Sequence, residues 1–305
     1  MSASPAVSDR RPLDGIWLPL ITPFRDGALD EKALEGLVRH YLETPLSGLI
    51  LAATTGEGMT LDGAETERLV KRTALALEGR LPLYLGLSGC DTGKLVRLIA
   101  ERGDWPVDGY LVACPYYTRP SQEGLYRHFA ALAEASCKPI LLYNIPYRTG
   151  VNLANETVLR LAAHERIVGI KDCCAIASQS FDLLGARPGG FSVLTGEDAQ
   201  FFSALAHGAD GGILASAHAG PAAFAEVRRR LLAGERAEAL ALWRELAGVV
   251  ALLFAEPSPA PIKHWLWRSG LIASPEVRLP MVPVSEGLAT RISAAVERWS
   301  LLAAA

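Results

Sequence analysis

The sequence predicts an α/β protein: a (β/α)8 TIM barrel with a C-terminal helical appendage. Eight short apolar runs alternate with eight amphipathic segments over about 235 of the 305 residues. The apolar runs are continuous rather than alternating, as expected of parallel strands covered by helices. The rival, an open doubly wound sheet, lacks its G-x-G-x-x-G turn here.

In order, "GIWLPLIT" (15–22) reads as the first strand, and Leu34, Leu37, Val38, Tyr41 and Leu42 then share one helical face behind Asp30 as N-cap. Residues 47–53 and 81–87 form the next strands, separated by a helix over 63–79. "DTGKLVRLIAERG" is a helix capped by Asp91 and closed by Gly103. Strands at 107–113, 139–144, 167–171, 191–196 and 210–216 are each followed by a helical pattern, the last at 221–234. Helical stretches at 235–254, 261–270 and 285–303 make up the appendage. Expected boundaries are therefore a loose tail at 1–12, a catalytic barrel at 13–234 and a helical region at 235–305.

A net charge of −3 without a basic run argues against a nucleic-acid or membrane-surface role. The tail has no apolar stretch resembling a secretory signal, and "LAGVVALLFA" is half the length a bilayer requires. A soluble, cytoplasmic chain is expected. Five cysteines, Cys90, Cys114, Cys137, Cys173 and Cys174, include no C-x-x-C pair and read as reduced, structural thiols. The six histidines form no i, i+4 pair, so no metal site is expected.

Active sites of such barrels lie at the C-terminal ends of the strands. There the chain places "ATTGEG" (53–58), "CPYY" (114–117), "LYNIPYRTG" (142–150), Lys171, "TGED" (195–198) and "GGILAS" (211–216). A lysine at the inner end of a buried strand loses solvation, which lowers its pKa, and a neutral amine attacks carbonyls to form a Schiff base. The structural alternative is an ion pair with Asp172 or Glu197. Tyr143 and Tyr117 offer phenolic protons that Thr54 or Thr55 could relay, although buried tyrosines also serve as ordinary core residues. Arg148, in a turn, suits a carboxylate through a two-pronged hydrogen bond, or a surface ion pair.

Together, "ATTGE", "PYYTRPSQEGLYRHF", "LYNIPYRTG", "GIKD", "TGED" and "GGILAS" resemble the pyruvate-dependent class I aldolase (N-acetylneuraminate lyase) family, and within it the dihydrodipicolinate synthase group, from about residue 13 onward. The resemblance implies a lyase that condenses pyruvate with L-aspartate 4-semialdehyde to 4-hydroxy-tetrahydrodipicolinate, in lysine and diaminopimelate biosynthesis. It implies a Schiff base on Lys171 with no metal or organic cofactor. It implies a proton relay of Tyr143, Thr54 and Tyr117, with Tyr117 reaching into a neighbouring subunit of a homotetramer built as a dimer of dimers. Thr55 would hold the pyruvate carboxylate, helped by backbone near Ile213 and Gly196, and Arg148 the carboxylate of the aldehyde. An aldolase or dehydratase for a sugar-derived 2-keto acid shares the lysine and tyrosine but generally lacks R-T-G at 148–150; a non-catalytic keto-acid-binding paralogue is the rival from another class. The chain departs from the family in three places. Ala53 replaces a glycine, Cys173 and Cys174 follow Asp172, and Cys90 and Lys94 stand where lysine-inhibited members carry an asparagine and a glutamate. Weak or absent inhibition by lysine is therefore expected.

Overall fold

The computed structural model describes residues 13–304; the expected tail at 1–12 lies outside the described residues. Eight parallel strands close into a barrel: β1 (Gly15–Pro19), β2 (Gly48–Leu51), β3 (Leu83–Leu87), β4 (Gly109–Ala113), β5 (Ile140–Asn144), β6 (Ile167–Asp172), β7 (Ser192–Thr195) and β8 (Gly211–Ile213). The helices between and after them are α1 (Glu31–Leu42), α2 (Gly63–Leu77), α3 (Thr92–Glu101), α4 (Gln122–Ala135), α5 (Asn155–Ala162), α6 (Ala177–Ala186), α7 (Phe201–Ala206) and α8 (Pro221–Leu232). Three more follow: α9 (Arg236–Leu253), α10 (Ala260–Arg268) and α11 (Glu286–Ala304).

Local sequence explains several of the helix starts. Asp30 and Asp91 cap α1 and α3 as expected, accepting from the amides of Ala33 and Lys94 at 2.9 and 3.0 Å. Asp62 and Glu65 form a reciprocal capping box at the start of α2. α1 buries Leu34, Leu37, Val38 and Tyr41, the predicted face. Leu42, predicted on that face, is only half buried.

The chain divides into two compact units. One contains β4 to β7 with α3 to α7. Within it β5 and β6 run parallel with Tyr143 opposite Lys171 and Asn144 opposite Asp172, and β6 sets Lys171 against Leu194 of β7. The other unit contains β2, β3, most of β1, α1, α2 and α8 to α11. There Gly48 of β2 leaves room for the Trp17 indole, which a β-carbon would overlap at 2.4 Å. Tyr41 reaches the His218 carbonyl at 3.0 Å.

Several strands are shorter than the apolar runs suggested, for local reasons. β2 ends at Leu51, not Ala53, because Ala52 turns into the left-handed region (φ +50°) and leaves the ladder. β8 ends at Ile213 because residues 215–219 wind into a 3-10 turn, where His218 Nδ1 meets the Ala215 carbonyl at 2.7 Å. β1 stops at Pro19, and Phe24–Arg25 and Ala28–Leu29 form a small antiparallel hairpin that periodicity did not show. Arg148 sits in a one-turn helix, Pro146–Thr149, rather than a simple turn.

Candidate active site

Lys171 is the next-to-last residue of β6 and is 5 % exposed. Its ammonium nitrogen stands 4.4 Å from the centre of the Tyr143 ring. Desolvation lowers its pKa; the nearby Arg148 charge acts in the same direction, while Cys173, Asp198 and Glu197 oppose it. Among the described residues, no carboxylate forms an ion pair with it. The alternative of an ion pair with Asp172 fails for a geometric reason, while Glu197 acts on the lysine only through its field. Successive side chains of a strand face opposite ways, and Asp172 is bound by other groups: the Ser180 hydroxyl at 2.6 Å, the Asn144 amide at 3.2 Å and the Cys174 backbone N–H at 3.1 Å. Asn144 and Asp172 thus link the ends of β5 and β6 directly behind Tyr143 and Lys171.

Gly196 follows β7, with its N–H donating to the Asp172 carbonyl at 2.8 Å. A β-carbon there would lie 2.4 Å from Lys171 Cε and 2.5 Å from Cys173 Sγ. The glycine is what gives the lysine side chain its passage. Cys173 is buried and burial pushes its thiol up to about 12, so it is a small apolar filler and not a competing nucleophile. Glu197 is also held above the usual carboxylate range, by desolvation and then by Asp198.

Tyr143 closes β5 but for Asn144 and is buried. The turn that follows, Pro146–Thr149, ends at Gly150 with φ +76°. It is stitched to the loop after β4: the Tyr117 amide donates to the Thr149 carbonyl at 3.2 Å and Arg119 Nε to the Gly150 carbonyl at 2.9 Å. Tyr117 itself has φ +69° and is 91 % exposed, an unusual state for a large aromatic residue. Arg148 is exposed beside the Tyr147 ring, 5.4 Å from its centre, and has no carboxylate partner among the described residues.

In the other unit, Thr54 and Thr55 lie in the turn after β2, with Thr55 buried and Thr54 half buried. The Glu57 amide donates to the Thr54 carbonyl at 3.1 Å, and Thr22 Oγ1 to the Gly56 carbonyl at 2.6 Å. A β-carbon on Gly58 would strike the Ala52 carbonyl at 1.9 Å, so this motif glycine serves backbone packing. Ile213, at the end of β8, is fully buried. The residue that the sequence reading passed over is Glu57, which is buried against Lys263. A carboxylate between two motif glycines is a signal of this, but its partner lies about 200 residues away. Among the described residues, no group of three or more His, Cys, Asp or Glu side chains could hold a metal ion, and no helix is long and apolar enough to cross a membrane.

The model of the "Dihydrodipicolinate synthetase family" matches residues 12–299. A 4-hydroxy-tetrahydrodipicolinate synthase of Clostridium acetobutylicum is 44 % identical over 281 residues, 92 % of this chain and 98 % of that protein. The crystal structure of dihydrodipicolinate synthase from Thermotoga maritima superposes with a TM-score of 0.92 at 33 % identity, covering 95 % of this chain and 100 % of that one. The chloride-inhibited enzyme from Acinetobacter baumannii, complexed with pyruvate, gives 0.90 at 34 % identity, covering 94 % and 99 %. A family match across nearly the whole described chain, joined to a buried lysine beside a tyrosine at the barrel strand ends, places this chain in the dihydrodipicolinate synthetase family.

Proposed function

We propose that this chain is a cytoplasmic lyase that condenses pyruvate with L-aspartate 4-semialdehyde to give 4-hydroxy-tetrahydrodipicolinate. The observation that carries this reading is the Lys171 amine: buried, lowered in pKa, without an ion-pair partner among the described residues, and set against Tyr143. Pyruvate in the Acinetobacter baumannii relative supports the first substrate.

The neutral Lys171 nitrogen attacks C2 of pyruvate, and the carbinolamine loses one water to give an imine. The imine acidifies C3, whose proton is removed to give an enamine. The enamine carbon attacks the aldehyde, forming the new C–C bond and an alcohol. The substrate's own amine then attacks the imine carbon and expels Lys171 as the free amine, closing the ring. The balance is one water released per turnover. Each step moves a proton between nitrogen, carbon and oxygen, which is the role given to Tyr143, Thr54 and a partner subunit's copy of Tyr117. The exposed, left-handed Tyr117 supports a tetramer in which this ring enters a neighbouring site. Thr55, with backbone near Ile213 and Gly196, is assigned to the pyruvate carboxylate. No metal or organic cofactor enters the scheme.

Arg148 is assigned to the aldehyde's carboxylate, and this residue separates the reading from lyases of sugar-derived keto acids. Arg148→Ala should lower kcat/KM for the semialdehyde by one to two decades, since a charge-assisted hydrogen bond contributes about 1.5–3 kcal/mol. Adduct formation with pyruvate alone should change little. Unaltered kinetics with the semialdehyde would move the assignment to the sugar-acid lyases.

Lysine should inhibit weakly or not at all. Cys90 and Lys94 are both exposed, where inhibited relatives present an asparagine and a glutamate. Two ammonium groups about 4 Å apart repel by about 4 kcal/mol at an effective dielectric of 20, roughly three decades in affinity. Titration of lysine into the steady-state assay decides this: half-inhibition below about a millimolar, roughly −4 kcal/mol of binding, contradicts it.

A further inference from the structure

Lys263 is completely buried, and the Glu57 side chain beside it is 2 % exposed. Taking both charges out of water costs more than their attraction returns unless other groups satisfy them, and an apolar pair of similar volume often folds as well or better. Here further groups hold each charge in place but offset only part of that cost. Glu57 Oε2 accepts from the Arg278 amide at 2.9 Å, while Oε1 is enclosed and faces the Lys263 ammonium. The ammonium donates to the Glu276 carbonyl at 2.7 Å and lies 4.2 Å from the centre of the Phe24 ring. Arg278 is also 4.2 Å from the centre of that ring, and grips both Glu65 oxygens at 2.7 and 2.6 Å and the carbonyls of Thr60 and Gly27 at 3.0 and 2.8 Å.

The arrangement is centred on one peptide. Glu57 has φ +50°, a conformation that a residue with a side chain adopts only when its surroundings impose it. Its amide closes the turn onto Thr54, two residues before it is Thr55, and the preceding carbonyl, Gly56, is held by Thr22. Segments near residues 24, 263 and 278 therefore converge on the residue that ends the threonine turn.

We propose that the buried Glu57–Lys263 pair is a positioning device that fixes the Thr54–Thr55 turn for the substrate carboxylate, at a cost to the stability of the fold. The proposal rests on the assignment of Thr55 to the pyruvate carboxylate. Glu57 and Lys263 touch no substrate; they act through the turn. The depressed ionisation of Lys263, lowered to about 8 chiefly by burial, agrees with a charge kept in an unfavourable place.

The experiment is a double variant, Glu57→Gln with Lys263→Gln, which removes both charges, keeps the acceptor for the Arg278 amide and leaves two neutral amides that can bond each other and the Glu276 carbonyl. It is compared with wild type by thermal melting, pyruvate KM and the rate of borohydride trapping at saturating pyruvate. The expected result is a Tm equal to or above wild type, a pyruvate KM raised about tenfold or more, and a trapping rate at saturation within about threefold. A double variant that melts well below wild type, or one whose pyruvate KM stays within twofold, overturns the proposal. Glu57→Gln alone supplies the same KM readout in a chain that keeps Lys263. Thr55→Val is the control. If it leaves pyruvate KM unchanged, the carboxylate assignment has failed; if it raises KM while the Glu57 and Lys263 variants do not, the positioning role has failed.

Discussion

Lys171→Met leaves a folded chain that has lost at least about three decades of kcat/KM, or about 4 kcal/mol of transition-state stabilisation. Removing the nitrogen removes the covalent route, and nothing else near it can replace it: Cys173 is held protonated by burial and Asp172 is engaged by Ser180, Asn144 and Cys174. The fold should not suffer. The amine is buried without an ion-pair partner among the described residues, so an apolar side chain of similar length is an easier occupant. The pH dependence has a definite sign. A lysine whose folded pKa is lowered binds its proton more readily in the unfolded chain, so the lysine costs stability at low pH and the cost fades as pH rises toward the ordinary lysine value. The stability gap between Lys171→Met and wild type should therefore be largest at neutral pH and narrow in alkali. Steady-state rates and melting curves from pH 7 to about 10 measure both effects. A variant with activity within tenfold of wild type would remove Lys171 from the chemistry.

Tyr143→Phe should cost about two to four decades in kcat, the range for a positioned proton donor or acceptor. The ring 4.4 Å from the Lys171 nitrogen stays, so packing around the amine is retained and the loss belongs to the hydroxyl. Slower trapping of the pyruvate adduct should accompany it, because carbinolamine dehydration needs a proton on the departing oxygen. Full trapping at the wild-type rate would instead place the tyrosine in the later carbon–carbon step.

The barrel was legible because each strand is a continuous apolar run and some helices carry their own start signal, as Asp30 and Asp91 show. Strand ends were less so. Ala52 looks like one more apolar residue of β2, and only the backbone turn at φ +50° ends it. Lys171 and Tyr143 stood out because a polar group closing an apolar run is costly. Their mutual approach, by contrast, depends on β5–β6 register, which no local pattern specifies. The ion pair considered between Lys171 and Asp172 was excluded in principle by strand alternation, since neighbours on one strand face opposite ways. The Glu57–Lys263 pair was illegible because it joins segments far apart in sequence, and long-range partners leave no periodicity to read.

The central claim is that the Lys171 nitrogen forms the covalent bond to pyruvate. The most direct test is incubation of the wild-type chain with pyruvate and borohydride, followed by peptide mapping by mass spectrometry. One pyruvate-derived adduct per chain, on the peptide holding Lys171 and absent in Lys171→Met, is the predicted result. An adduct on Lys94 or Lys263, or no adduct in an enzyme that still turns over, would contradict it.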